Sequence, residues 1–220
     1  MCGRFAFYSP AEAAAALFGA EDWTDFAASY NVAPTQDIPV VREGEERREL
    51  VALRWGLVPF WVKGPSIGNR MINARSETIA EKPSFRNAFR KRRCLVIADG
   101  FYEWRKEGQQ KTPYLISLQD GGPMGFAGLW EQWTDKETGE YLETATIVTT
   151  AANEFMQPLH QRMPVILAPD AASRWLAMDD SILGDNPSPK LKAWPVSRRV
   201  NNPRNNDEDL LLADGDTVSG

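Results

Sequence analysis

The sequence predicts a β-rich α+β domain over residues 1–200, followed by an acidic, disordered tail over 201–220. Three observations carry that expectation. Seven short segments alternate apolar and polar side chains with period two and are rich in β-branched and aromatic residues. Only three segments have helical spacing. Neither an internal repeat nor a Gly/Ser linker divides the 220 residues.

In chain order, the first strand is expected over 4–8. A helix over 10–18 follows, with Ser9 as N-cap, Pro10 at the first helical position and Glu12 closing a capping box. Strands over 38–42 and 50–55 read as a hairpin whose tip holds Gly44. A short helix over 85–90 leads into strands over 94–98, 114–118, 125–130 and 144–149. A third helix covers 170–178, with Asp170 as its cap. From Asn201 onward Asn, Asp and Gly dominate, which is the composition of a chain that cannot bury a core.

Composition narrows the function classes. No apolar run approaches the ~18 residues of a membrane span, so neither a membrane anchor nor a secretory signal is expected. Two cysteines, Cys2 and Cys94, point to free thiols in a reducing, cytoplasmic setting. Cys94 lies in the apolar run Arg93-Cys94-Leu95-Val96-Ile97-Ala98 and reads as core. The net charge is −5, but residues 201–220 alone contain five acids and one base, leaving a nearly neutral body. A locally basic cleft is compatible with that balance, although steering of a polyanion from afar is weak. With no heptad or exposed apolar stripe, the chain reads as a monomer.

The first residues, Met1-Cys2-Gly3-Arg4-Phe5, carry the most chemistry. Removal of Met1 leaves an amine and a thiol on adjacent carbons of Cys2. An α-amine of pKa roughly 7.7–8.0 is partly neutral at pH 7 and can attack an aldehyde, after which the thiol closes a five-membered thiazolidine. A merely tolerated small residue at position 2 is the alternative. His160, the one histidine, is a residue type whose reference pKa of about 6.5 suits proton transfer near neutrality, or it is a hydrogen-bonded structural residue. Glu103, flanked by Phe101, Tyr102 and Trp104, is either a desolvated general acid and base or a solvent-exposed edge carboxylate. Asn73 either orients a substrate or caps a following helix. One histidine and two distant cysteines supply no zinc site, and no metal or cofactor motif is present.

Arginines and tryptophans are interleaved near these positions: Arg4, Trp55, Trp61, Arg70, Arg75, Trp104 and Arg162. Guanidinium groups that hold phosphates and indoles that stack on bases make a single-strand groove. The basic run Arg86, Arg90, Lys91, Arg92, Arg93 reads instead as a solvated face.

Together these segments resemble the SRAP family, the SOS response-associated peptidases that include abasic-site-processing proteins. The matching stretches include Met1-Cys2-Gly3-Arg4-Phe5, Tyr30-Asn31-Val32-Ala33-Pro34-Thr35, Trp55-Gly56-Leu57-Val58-Pro59, Asn73-Ala74-Arg75-Ser76-Glu77-Thr78, Asp99-Gly100-Phe101-Tyr102-Glu103-Trp104 and His160-Gln161-Arg162-Met163-Pro164. Ile97 and Gly64 depart from the family's usual Pro and Asp. The resemblance implies mixed, barrel-like sheets with peripheral helices. It also implies that Cys2 crosslinks to the ring-opened aldehyde of an abasic site in single-stranded DNA, with no cofactor, and that Met1 is removed autocatalytically. Glu103 would then shuttle protons, His160 would help open the sugar and reverse the adduct, and Asn73 would position the amine or sugar. Arg4, Arg75 and Arg162 would bind phosphates. Trp61 and Trp104 would stack on bases at single-strand/duplex junctions, on damaged DNA in the nucleoid. A thiol peptidase with Cys2 and His160, and a non-covalent reader of single-stranded DNA, are the alternatives.

Overall fold

The structure is a computed structural model that describes residues 2–184 and 189–219. The first half of the chain forms β1 (Phe5–Phe7), α1 (Ala11–Leu17), β2 (Asp22–Trp23), β3 (Ser29–Val32), β4 (Asp37–Glu43), β5 (Arg48–Trp55), a 3₁₀ turn at Pro65–Arg70, β6 (Asn73–Arg75), α2 (Arg86–Lys91), β7 (Arg93–Ala98) and β8 (Gly100–Glu107). The second half forms β9 (Gln110–Leu118), β10 (Met124–Thr134), β11 (Tyr141–Ala151), β12 (Arg162–Pro164), β13 (Ile166–Leu167), α3 (Pro169–Leu176), β14 (Leu191–Pro195) and β15 (Val218–Ser219). The β-rich α+β class is as the sequence predicts, and all seven expected strands fall on observed ones.

One sheet runs β15-β14-β9-β8-β1-β3, and the other runs β12-β11-β10-β7-β4-β5-β2. A parallel pairing of β11 with β5, Thr144 opposite Arg54 and Ala145 opposite Trp55, joins β5-β4-β7-β10-β11 into a closed five-stranded barrel. Closure removes the free edges that β5 and β11 would otherwise present. All six residues of β7 are buried because the strand is a wall of this barrel, with one face on its interior and α2 and α3 packed against the strand. That is why its sequence reads as a continuous apolar run rather than an alternation.

Alternation is kept on the first sheet, and it sorts side chains into two environments. Phe5, Phe7 and Phe101 join the main core with Trp55, Phe126 and Trp175. Ala6, Tyr102 and Leu115 turn the other way, into a smaller cluster closed by Val196, Val200 and Leu210.

Several local expectations are corrected. Ser9 does not cap α1: the residue before the helix is Pro10, and the Ser9 hydroxyl and amide instead bond Asp99, whose carboxylate also takes the Tyr8 amide at 2.6 Å. Asp170 sits in the first turn of α3, after Ala168 and Pro169, and does not cap it. The basic run is no uniform solvated face. Arg93 is 3% exposed, lies over the rings of Phe89 and Trp175, and pairs with Asp180, while Arg92 pairs with Glu131. Residues 201–219 do not read as a detached tail either: Leu210 is fully buried, and Trp194 donates its indole N–H to the Leu211 carbonyl at 2.8 Å. The apolar Leu210 and Leu211 inside an acidic stretch supply the burial that its composition hides. The Gly44 hairpin between β4 and β5 forms as expected, with the Gly44 amide donating to Arg47.

Candidate active site

β1 and β8 are antiparallel neighbours, with Phe5 opposite Phe101, and their pairing brings the start of the chain beside Glu103. The Tyr102 amide continues the ladder to the Arg4 carbonyl. Cys2 is fully buried in the main core and Glu103 is 3% exposed. Glu103 faces Tyr114 of β9 across the sheet, so alternation turns its carboxylate inward with Phe101, and it is not an exposed edge residue. Burial first, and then the negative charge of Glu103, push the Cys2 thiol well above its ordinary range. The thiol is therefore protonated at neutral pH.

Asn73 reaches the same place from the barrel. It lies on β6, which runs parallel to β11 with Asn73 opposite Ile147, and its Nδ2 donates to the Cys2 carbonyl at 2.8 Å. No helix follows it, so it caps nothing. Its Oδ1 is buried without a hydrogen-bond partner among the described residues, an acceptor held ready beside Cys2. Beneath, Phe5 packs on Trp55 at 5.2 Å between ring centroids, and the Trp55 indole bonds the Ile72 carbonyl, fixing the residue before Asn73.

His160 is placed by the start of β12. The Arg162 amide donates to its Nδ1 at 3.0 Å, and the Arg162 carbonyl lies 3.0 Å from the same atom. Nδ1 accepts from the amide or donates to the carbonyl according to which ring nitrogen carries the hydrogen.

The five residues expected on DNA differ in how they are held. Arg4 is half-buried, and its Nη1 donates to Asn31 Oδ1 and to the Val200 carbonyl, both at 2.7 Å. Arg162 grips Glu77 with both terminal nitrogens and gives a further bond to the Thr149 carbonyl at 2.7 Å. That grip, ahead of the other influences, holds the Glu77 carboxyl below its ordinary range. Arg75 is exposed and, with Asn73, Thr78, Lys82 and Phe85, lines a cavity of about 380 Å³. The half-buried Trp104 spends its indole N–H on Asn201 Oδ1 at 2.8 Å. Trp61 is 51% exposed, and its neighbour Phe60, not singled out from the sequence, is 50% exposed. Both ride on the loop after β5. Gly56 and Gly68 cross at its base so closely that a Cβ on either would stand 2.4–2.5 Å from the other's carbonyl oxygen, and Gly56 has a φ of +124°. Only glycine fits there.

Cys2, Asn73 and Glu103 are thus gathered at one point, and His160, Arg162 and Arg75 follow along β12, β11 and β6, where Arg75 is opposite Thr149 and Arg162 opposite Ala151. Among the described residues no three His, Cys, Asp or Glu side chains cluster closely enough to hold a metal ion. The expected removal of Met1 falls outside the described residues.

The model of the SOS response associated peptidases matches residues 1–203. The chain belongs to the SRAP family. It is 42% identical over 226 residues to the abasic site processing protein YoaM of Bacillus subtilis, covering 97% of this chain and 99% of that one. To the abasic site processing protein YedK of Escherichia coli it is 33% identical over 225 residues, covering 96% and 99%. A crystal structure of a protein from Bacteroides thetaiotaomicron superposes with a TM-score of 0.84 at 30% identity, covering 96% of this chain and 99% of that one. The SRAP match therefore spans every residue placed in the site above and runs through Val200 and Asn201, which touch Arg4 and Trp104. No helix among the described residues is long and apolar enough to cross a membrane.

Proposed function

We propose that this SRAP protein processes abasic sites in single-stranded DNA, and that it does so by forming a covalent adduct through Cys2. The observation that supports this reading best is the junction of Cys2, Asn73 and Glu103: a buried, protonated thiol beside a buried carboxylate, with an amide bonded to the carbonyl of the same cysteine.

Once Met1 is removed, the α-amine of Cys2 adds to the C1′ aldehyde of the ring-opened sugar. The carbinolamine hydroxyl takes a proton delivered by Glu103 and leaves as water, giving an iminium ion. The thiol sulfur then bonds the same carbon, and its proton passes to Glu103. The products are one thiazolidine and one water. A thiol held protonated suits a sulfur that acts second and gives up its proton as it bonds. A thiol peptidase needs the reverse, a cysteine whose pKa is lowered so that thiolate attacks first. Asn73 Oδ1 holds the amine or a sugar hydroxyl, and His160 moves protons in sugar opening and adduct reversal. Arg4, Arg75 and Arg162 take the flanking phosphates. Trp61 and Trp104 stack on bases, including those at a single-strand/duplex junction.

The test mixes the protein with an oligonucleotide carrying one abasic site and resolves the products on a denaturing gel. A shifted band is expected with wild type and none with Cys2→Ala, while Cys2→Ala still binds the oligonucleotide in a native gel. Absence of the band with wild type ends the covalent reading, as does intact-mass detection of retained Met1 in the active protein.

A further inference from the structure

Arg4 is held differently from Arg42, Arg92, Arg93 and Arg162, and the difference gives a role to Asn31. Arg42, Arg92, Arg93 and Arg162 each pair with a carboxylate. Among the described residues no carboxylate pairs with Arg4. Its two hydrogen-bond partners are neutral, Asn31 Oδ1 and the Val200 carbonyl, and both are taken by Nη1. The two hydrogens of that nitrogen are thereby used, and Nε is buried without a partner. Nη2 is left to face an anion, with the full charge of the guanidinium uncancelled.

Asn31 is 1% exposed, and its amide can lie only one way round. Its oxygen meets the guanidinium, while Nδ2 faces three carbonyls, those of Asn205 at 2.7 Å, Asn202 at 3.1 Å and Val200 at 3.3 Å. A flipped amide would set oxygen against three oxygens and N–H against a cation. The turn that supplies those carbonyls is itself braced. Asn205 donates back to the Arg199 carbonyl at 2.7 Å, Arg199 pairs with Asp207, and Val200 and Leu210 are fully buried. Although residues 201–220 are acidic overall, this turn presents carbonyl oxygen to Arg4, and Asp207 is engaged by Arg199.

We propose that Asn31, clamped by the turn 200–205, is a positioning residue that pins Arg4 by one nitrogen so that the other meets a DNA phosphate beside the lesion. This rests on the assignment of Arg4 to a phosphate in the proposed function.

The test measures non-covalent binding of an undamaged single-stranded oligonucleotide against salt, with wild type, Arg4→Ala, Asn31→Ala and the double variant. Each phosphate contact on a single strand contributes about 0.7 to the slope of log K against log salt. Arg4→Ala is expected to lower the slope by about that amount, Asn31→Ala by most of it, and the double variant by no more than Arg4→Ala alone. Should Asn31→Ala not fold, Asn205→Ala, which loosens the turn, is expected to give a smaller drop in the same direction. A wild-type slope in whichever of these variants folds, beside a reduced slope in Arg4→Ala, overturns the proposal and leaves Arg4 on its phosphate. Full additivity in the double variant overturns it as well. An unchanged slope in Arg4→Ala removes the phosphate assignment and this inference together.

Discussion

The two faces of β8 are one residue apart and meet different surroundings. Phe101 and Glu103 turn into the main core, where burial suppresses charge on the Cys2 thiol. Tyr102 and Trp104 turn outward, where Tyr102 bonds the Tyr30 carbonyl and Trp104 bonds Asn201 on a turn that also holds Arg4. The inner face has almost no contact with water, and under the proposed function bond making happens there with its protons kept from solvent. The other face packs Tyr102 into the small cluster and leaves Trp104 partly exposed, and under the proposed function that ring and Arg4 meet the charged strand. A pleated strand separates the two without any extra structure, because its period is two.

The widest split between the faces is expected from Glu103→Gln. General acid–base residues contribute about 10²–10⁴ in rate. Crosslinking of an abasic oligonucleotide, followed by quenched time points on a denaturing gel, should slow by at least roughly a hundredfold. Binding of the undamaged oligonucleotide should stay near that of wild type. Equal losses in both would mean that the inner carboxylate supports the groove and not the proton transfers.

On the outer face, Leu210→Ala deletes a fully buried side chain from the small cluster of Tyr102, Leu115, Val196 and Val200. The expected cost is about 2–4 kcal/mol in urea unfolding. The same variant should weaken oligonucleotide binding with little change in the rate of the bound complex, since Val200 and Asn201 hold Arg4 and Trp104. A loss of under about 1 kcal/mol would mean that residues 201–219 stand outside the cooperative unit after all.

Legibility in the sequence follows the range of the forces involved. Period-two patterning with β-branched and aromatic enrichment revealed seven strands, β7 among them as a fully buried apolar run. The strands it missed are of three kinds: β2, β3, β6, β12, β13 and β15 are too short to show a period, β8 hides its alternation in a run of aromatics and charges, and β14 alternates over only Leu191, Lys192 and Ala193 before it ends at Pro195. Asn73 and Glu103 stood out because an amide and a carboxylate sit among apolar neighbours. Asn31 and Glu77 lie in stretches that match the family, but their contacts, 27–174 and 85 positions away in the chain, leave no mark on their neighbours in sequence. The tail was misread for the same reason. Its acids dominate any composition count, whereas Leu210 and the carbonyls of Val200, Asn202 and Asn205 matter only once β1, β3 and β8 stand beside them.

The smallest expected effect concerns Arg162, whose setting inverts that of Arg4. Its charge is answered by Glu77, and Glu77 is half exposed, with 49% of its side chain open to solvent. An exposed ion pair is worth at most about 1 kcal/mol, so a phosphate can take the place of the carboxylate at little cost. Glu77→Gln keeps one carbonyl for the guanidinium and restores its net charge. Binding of undamaged oligonucleotide at low salt should tighten by roughly two- to threefold, with the salt slope steeper by up to about 0.7. Crosslinking at saturating DNA should be unaltered, because Glu77 lies outside the junction of Cys2, Asn73 and Glu103. Weaker binding in this variant would reverse the assignment. Glu77 would then be holding Arg162 in place for phosphate, as Asn31 holds Arg4, and not competing for it.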